Sequence, residues 1–402
     1  MFPEKSDAAP GPWRGLLLLC LLLITYGSLY PFHVVAPASL HDAWAAFITN
    51  FAVWTTRGDV IGNLALFVPL GLLAVLVLPS AQRRGPWLGV VVLASLAFAF
   101  GLQVLQIWFP PRDASLADVL WNMVGTLLGM TAGALLPTRP RSEAGSPRDA
   151  GIPLVLIAAW IGTQLAPFIP SLDWQGIKNS LKPLLLHPEF SAPSTVFVFS
   201  RVLAVACLVA ALSGSARAAA LHVGLLLAAI LFGKLLVVGQ TINLSTLLGF
   251  VAGFAAWLLL QRARPERRQL IVLLMLFVGY TVGSLMPFAL REPPSRFHWL
   301  PFEAMLEGDM GTNAWALVEQ AFVFGALLWL CRQIGARVAG VSIVLALWVA
   351  AVEFLQTWID GRTGDITSAL LVLGAGFVIR HGAIRSAGSA RGAKANLRVQ
   401  RT

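Results

Sequence analysis

Apolar stretches close to twenty residues long recur along this chain, separated by short polar or basic segments. A hydrocarbon core about 30 Å thick calls for about 20 apolar residues of helix, each rising about 1.5 Å. Residues 60–79, 87–108, 116–136, 218–239 and 337–357 meet that requirement directly. Along the whole chain the pattern predicts twelve spanning helices. They lie near 14–32, 60–79, 87–108, 116–136, 151–169, 196–213, 218–239, 242–260, 270–288, 313–331, 337–358 and 366–380. The runs are continuous and do not alternate at every second position, which disfavours a β-barrel. Between the first two spans, ASLHDAWAAFITNFAVW (38–54) mixes apolar and polar positions and reads as a helix lying on the membrane surface. Segments 172–190 and 296–309 occupy the corresponding places later in the chain.

Three helix ends share a pattern: GSLYPF (27–32), TQLAPF (163–168) and GSLMPF (283–288). Each closes an apolar run with a proline, which ends or kinks a helix because it has no amide proton and clashes with the preceding turn. Each is followed by a polar stretch and three further spans. Recurrence at 136 and 120 residues suggests a triplicated four-helix unit, with linkers at 137–150 and 261–268. The expected fold is an all-α polytopic membrane protein of about twelve transmembrane helices in three repeated units. The first covers 1–140, a degenerate middle unit 141–265 and the last 266–382, ahead of a basic tail at 383–402. The run 16–30 followed by Ala36-Pro37-Ala38 loosely fits a cleaved signal, and the repeats argue against its removal.

Composition sharpens the class. The 402 residues are 57% hydrophobic and 12% charged, with mean hydropathy +0.76, whereas soluble domains carry about 25% charged residues. Lipid is therefore the solvent. With the N-terminus cytoplasmic, twenty basic residues fall on the inner side and eight on the outer, Arg201 among the eight, with Lys234 inside a span. Both termini are thus expected in the cytoplasm of a bacterial inner membrane. The net charge of +10 is then an orientation signal and an attraction to anionic lipid, and no nucleic-acid partner is expected. Cys20, Cys207 and Cys331 lie apart within apolar runs, and the six histidines are scattered. Neither set supports a disulfide framework, a metal or a cofactor.

The candidate chemistry gathers at the end of the third helix of two units and in the loop after it. QVLQIWFPPRDASLADVLWNMVG (103–125) aligns without gaps to EFLQTWIDGRTGDITSALLVLGA (353–375). Gln103 meets Glu353, Gln106 meets Gln356, Trp108 meets Trp358 and Arg112 meets Arg362. Residues three apart share a helical face, and both pairs sit roughly 10 Å from the expected outer end. Asp118 and Asn122 follow at i,i+4 in the first unit, and Asp365 in the last. Gly125, Gly129 and Gly133 form a small-residue stripe suited to close helix packing. The middle unit puts Lys234 where the glutamines stand and Gln240 at the arginine position. Lys234 either snorkels to the interface or pairs with Glu353 or Glu319. Asp59 and Asn63 are i,i+4 in the second helix, ahead of Pro69 and Gly71, and Glu319-Gln320 interrupt the tenth. An ionisable group at mid-membrane costs about 2.5–3.5 kcal/mol, so function is its default reading. Capping of helix ends and pairing between units is the structural alternative for each of them.

The order Asp59, Asn63, Phe67-Val68-Pro69-Leu70-Gly71, then Gln106, Arg112, Asp118, Asn122 and Gly125 resembles the VanZ-like family of bacterial membrane proteins. The resemblance covers about 14–136 well and 270–380 in part, with the middle unit similar mainly by position. Gln103 stands where that family usually has Glu; the last unit restores it as Glu353 but has Ser368 and Val372 in place of the later Asp and Asn. No single copy holds the whole polar set; a site shared by the first and last units would. The resemblance implies four or five spans per domain and relatives linked to teicoplanin resistance. The leading expectation is binding or modulation of an anionic lipid-linked or cell-wall component at the outer leaflet, tied to antibiotic or envelope-stress tolerance. In it Arg112 and Arg362 grip the anion while Asp59, Asp118, Glu353 and Asp365 orient them or bind sugar and peptide groups. A secondary transporter using Lys234, Glu319 and Glu353 is one alternative. A membrane enzyme with Glu353 or Asp118 as acid or base is another.

Overall fold

The computed structural model describes residues 12–49, 51, 57–78, 85–110, 114–135, 151–186, 188–304 and 310–380. They form two compact bodies, Met1–Ala144 and Gly145–Thr402. The N-terminal body holds α1 (Pro12–Leu29), α2 (Leu40–Thr49), α3 (Arg57–Val77), α4 (Trp87–Gln106) and α5 (Leu116–Leu135). Short α2 starts where the Ser39 hydroxyl accepts from the Asp42 amide at 3.2 Å, and it buries Phe47. Its core gathers Ile24, Phe67, Leu70, Ala99, Leu102 and Val119. The α3–α5 contact is the closest in this body, and glycine makes it so. A methyl group on Gly125 or Gly129 would overlap the carbonyl oxygen of Leu64 or Val68, and one on Gly71 that of Thr126. The stripe therefore serves backbone approach, and α3 continues through Pro69.

The C-terminal body continues with α6 (Gly151–Leu165), α7 (Trp174–Leu185), α8 (Ala192–Leu212), α9 (Ala216–Leu236), α10 (Leu244–Leu260), α11 (Pro265–Leu285), α12 (Met310–Gln333), α13 (Val338–Gln356) and α14 (Thr367–Arg380). Ser and Asn caps set several starts: the Ser215 hydroxyl accepts from the Ala218 amide and the Asn243 side chain from the Thr246 amide. Helix α8 is central, touching α6, α9, α10, α11 and α12. Every residue from Ser200 to Val209 is consequently buried, as is Phe322–Leu330 in α12. A helix apolar on all sides is what such a position demands. Trp160, Trp257, Phe322 and Phe324 fill the core. Cys207 and Cys331 are buried and Cys20 half-buried, all three free thiols.

Among the described residues, six helices are long and apolar enough to cross a membrane: Trp87–Gln106, Ala192–Leu212, Ala216–Leu236, Pro265–Leu285, Trp315–Gln333 and Val338–Gln356. Shorter apolar helices cover Leu16–Leu29, Gly62–Val77, Gly151–Leu165, Leu244–Leu260 and Thr367–Arg380. The described residues contain no strand beyond isolated bridges. Segment 296–309, expected as a surface helix, is not helical over 296–302, and residues 303–304 are helical. The His298 amide donates to the Gly364 carbonyl at 2.9 Å and the Ile366 amide to the His298 carbonyl at 3.1 Å. Pairing with that loop holds 296–298 extended. Residues 305–309 lie outside the described ones.

The three proline-bearing ends fold alike. Tyr30-Pro31, Ala166-Pro167 and Met286-Pro287 are cis, and Phe32, Phe168 and Phe288 follow with φ of 64°, 59° and 64°. A positive φ costs a residue with a Cβ about 1–2 kcal/mol, so tertiary contacts must hold these turns. Four residues past each proline, an amide meets the chain at or just beyond the end of a partner helix. Val35 donates to the Trp108 carbonyl at 2.9 Å, Ser171 to Leu236 at 2.7 Å and Arg291 to Trp358 at 2.9 Å.

Candidate functional site

The amides singled out in the sequence fasten these helix ends. The last carbonyls of a helix have no partner within it, and at α1 and α11 a glutamine from a neighbouring helix supplies one. Gln106 Nε2 donates to the Ser28 carbonyl at 2.9 Å, and Gln356 Nε2 to the Ser284 carbonyl at 3.1 Å. Arg362 adds Nε to the Met286 carbonyl at 2.7 Å and Nη2 to Gly283 at 2.9 Å. At the end of α6 the same task falls to Gln240, whose Nε2 donates to the Ala166 carbonyl just before the proline. Lys234 donates to Gln240 Oε1 at 2.8 Å. Of the two readings of Lys234, snorkelling or pairing with Glu319 or Glu353, the pairing is corrected: its ammonium serves Gln240, six residues further along the chain.

One helical turn earlier, Gln103 and Glu353 brace the loop that follows them. Gln103 Oε1 accepts from the Ser115 amide at 2.9 Å, and Glu353 Oε2 accepts from the Asp365 amide at 3.3 Å. Asp365 then accepts from the Thr367 amide at the start of α14. In the N-terminal body Asn63 Nδ2 donates to Asp118 Oδ1 at 2.8 Å, joining α3 to α5. Asn122 is buried on the same helix as Asp118, and its Oδ1 has no hydrogen-bond partner among the described residues. Asp59 lies in the first turn of α3, with its side chain outside what is described, and Arg112 lies outside the described residues altogether.

In the C-terminal body the polar groups converge on a cavity of about 450 Å³. Glu353, Gln356, Arg362 and Asp365 line it together with Glu319, Gln320 and Arg201. Sequence reasoning missed Arg201, counting it with the outer loop charges. It is the tenth residue of α8, about 14 Å from the helix start at 1.5 Å per residue. Its Nε reaches Glu319 Oε1 at 2.8 Å and its Nη1 the Phe197 carbonyl at 3.1 Å. The guanidinium also lies 3.2 Å from the centroid of the Phe197 ring, a cation–π contact. The arginine side chain is 6% exposed and the glutamate 34%, so the acid of the pair opens to the cavity. The available signal was an arginine with apolar residues on both sides, deep in a twenty-residue run. Gln320 Oε1 is buried without a hydrogen-bond partner among the described residues. The cavity thus offers donors and acceptors of both charges between the helices and the 361–365 loop.

An all-helical membrane protein with a polar cavity among its helices is the class these features define. Residues 15–136 match the family model described as VanZ/LLP1, so this part of the chain is VanZ-like. No curated protein and no solved structure matches the chain.

Proposed function

We propose that this is a VanZ-like protein of the bacterial inner membrane that binds an envelope component at the outer leaflet through its polar cavity. Twelve spans in three four-helix repeats, with both termini cytoplasmic, would put the cavity on the periplasmic side. The recurring proline ends and their side-chain clasps support the triplication, and the twenty-to-eight division of basic residues supports the orientation. The observation that carries the reading is the meeting of Arg362, Arg201, Glu353 and Asp365 at one cavity. Charged groups placed at that expense of solvation inside a membrane protein serve a ligand or a partner. Each guanidinium gives part of its hydrogen bonding to the protein, and Arg362 Nη1 and Arg201 Nη2 stay available among the described residues. An anionic group would sit there, with the carboxylates and Gln320 receiving hydroxyl or amine donors. Arg112, Gln103, Gln106, Asp59, Asn63, Asp118 and Asn122 would form the corresponding surface in the first repeat.

Arg362→Gln tests this, because Gln240 already shows that glutamine can reach the equivalent carbonyl. A strain carrying Arg112→Gln and Arg362→Gln should keep normal membrane levels and lose antibiotic or envelope-stress tolerance. Tolerance unchanged at normal levels overturns the binding role. One observation favours transport as a second reading: the Arg201–Glu319 pair falls within two candidate spans. Solute flux in proteoliposomes that disappears with Glu319→Gln would decide for it.

A further inference from the structure

Resting on that reading, we infer that the cavity of the C-terminal body selects a head group carrying both a phosphate and a primary ammonium. Three carboxylates, Glu319, Glu353 and Asp365, meet two guanidiniums, Arg201 and Arg362, on its walls. Arg201 and Glu319 satisfy each other at 2.8 Å, which leaves Arg362 beside the two acids braced by the 353–367 hairpin. The formal excess is one negative charge. A purely anionic ligand would have two guanidinium edges to bind, Arg362 Nη1 and Arg201 Nη2, and three carboxylates to face. A ligand with an added ammonium answers both. Its phosphate takes the free Nη1 edge of Arg362, and its N–H groups take Glu353 and Asp365.

The backbone holds both acids in place, with Glu353 accepting from the Asp365 amide and Asp365 from the Thr367 amide. Glu353 also accepts from the Ser368 side chain, and the two carboxylates keep further lone pairs for a ligand. Gln320 Oε1 is a further acceptor lacking a partner among the described residues. Carboxylates outnumber guanidiniums on the cavity wall, and a primary ammonium supplies three N–H donors where a trimethylammonium supplies none. A volume of about 450 Å³ suits a small polar ligand, since sites of this kind run about 300–1,000 Å³. The same chemistry is present in phosphatidylethanolamine and in free O-phosphoethanolamine.

The full-length protein, purified in detergent and reconstituted in nanodiscs, tests the assignment. Native mass spectrometry would compare retention of phosphatidylethanolamine, its N-methyl and N,N-dimethyl forms, phosphatidylcholine and phosphatidylglycerol. Calorimetry with O-phosphoethanolamine separates a lipid from a soluble ligand: heat with it assigns the site to the head group alone, and retention of the lipid alone requires the acyl chains. Retention should fall stepwise with N-methylation, with phosphatidylethanolamine preferred about tenfold or more over phosphatidylcholine and phosphatidylglycerol. Glu353→Gln should flatten that series at unchanged helicity and monodispersity. Should that variant misfold, the wild-type methylation series alone still decides. Equal retention of phosphatidylethanolamine and phosphatidylglycerol, or of phosphatidylethanolamine and phosphatidylcholine, overturns the ammonium selectivity and leaves head-group binding standing. No retention of any lipid or of O-phosphoethanolamine above bulk removes the binding reading itself.

Discussion

At the scale of single residues, the Arg201–Glu319 pair has the sharpest energetic consequence. Removing one member of a buried pair leaves an uncompensated charge, at a cost of about 3–5 kcal/mol. Glu319 is 34% exposed on its side chain, which places the expectation at the lower end of that range. Glu319→Gln should lower the melting temperature in detergent markedly. Arg201→Met combined with Glu319→Leu should recover most of the loss, because an apolar pair needs no desolvation of charge. A double variant no more stable than Glu319→Gln would show that the charges themselves are required. Glu353, Gln356, Arg362 and Asp365 were legible as a group because the alignment of 103–125 with 353–375 set them apart from their apolar surroundings. Arg201 was not. The alignment of 103–125 with 353–375 does not reach it, and a lone arginine assigned to the outer side looks like a loop charge until its neighbours in space are known.

Helices and their contacts form the next scale. The glycines of α5 meet backbone, so their role is testable apart from any chemistry. Gly129→Ala would drive its methyl group into the Val68 carbonyl and should destabilise the protein by about 1–3 kcal/mol. Gly101→Ala in α4 has nothing within 4 Å and should be neutral or stabilising, since alanine is favoured over glycine in a helix by about 1 kcal/mol. Thermal unfolding of the two variants side by side separates packing from propensity; equal losses would dismiss the packing account. Helix positions were legible from apolar runs and from the proline at each end. The extended stretch at 296–298 was not, because its conformation comes from hydrogen bonds to residues 364 and 366, nearly seventy positions away. Apolar periodicity carries no trace of such a partner.

For the molecule as a whole, the proposed topology makes a direct prediction. A cysteine introduced at Gly361, beside Arg362, should react with a membrane-impermeant maleimide on intact cells, and one at Gly214, between α8 and α9, only after permeabilisation. The three native cysteines need replacing first, although two are buried. The opposite labelling would invert the orientation and move the cavity to the cytoplasm. The clasps at the proline-bearing ends have a different bearing, on how such a chain drifts over generations. Their acceptors are main-chain oxygens, on Ser28 and Ser284 for the glutamines and on Ala166 for Gln240. An oxygen of that kind is present whichever amino acid stands there, whereas the donor amide is not. In a saturation library scored for membrane abundance, position 28 should therefore accept most small replacements while position 106 rejects nearly all. The asymmetry would mark which side of each fastening selection can see.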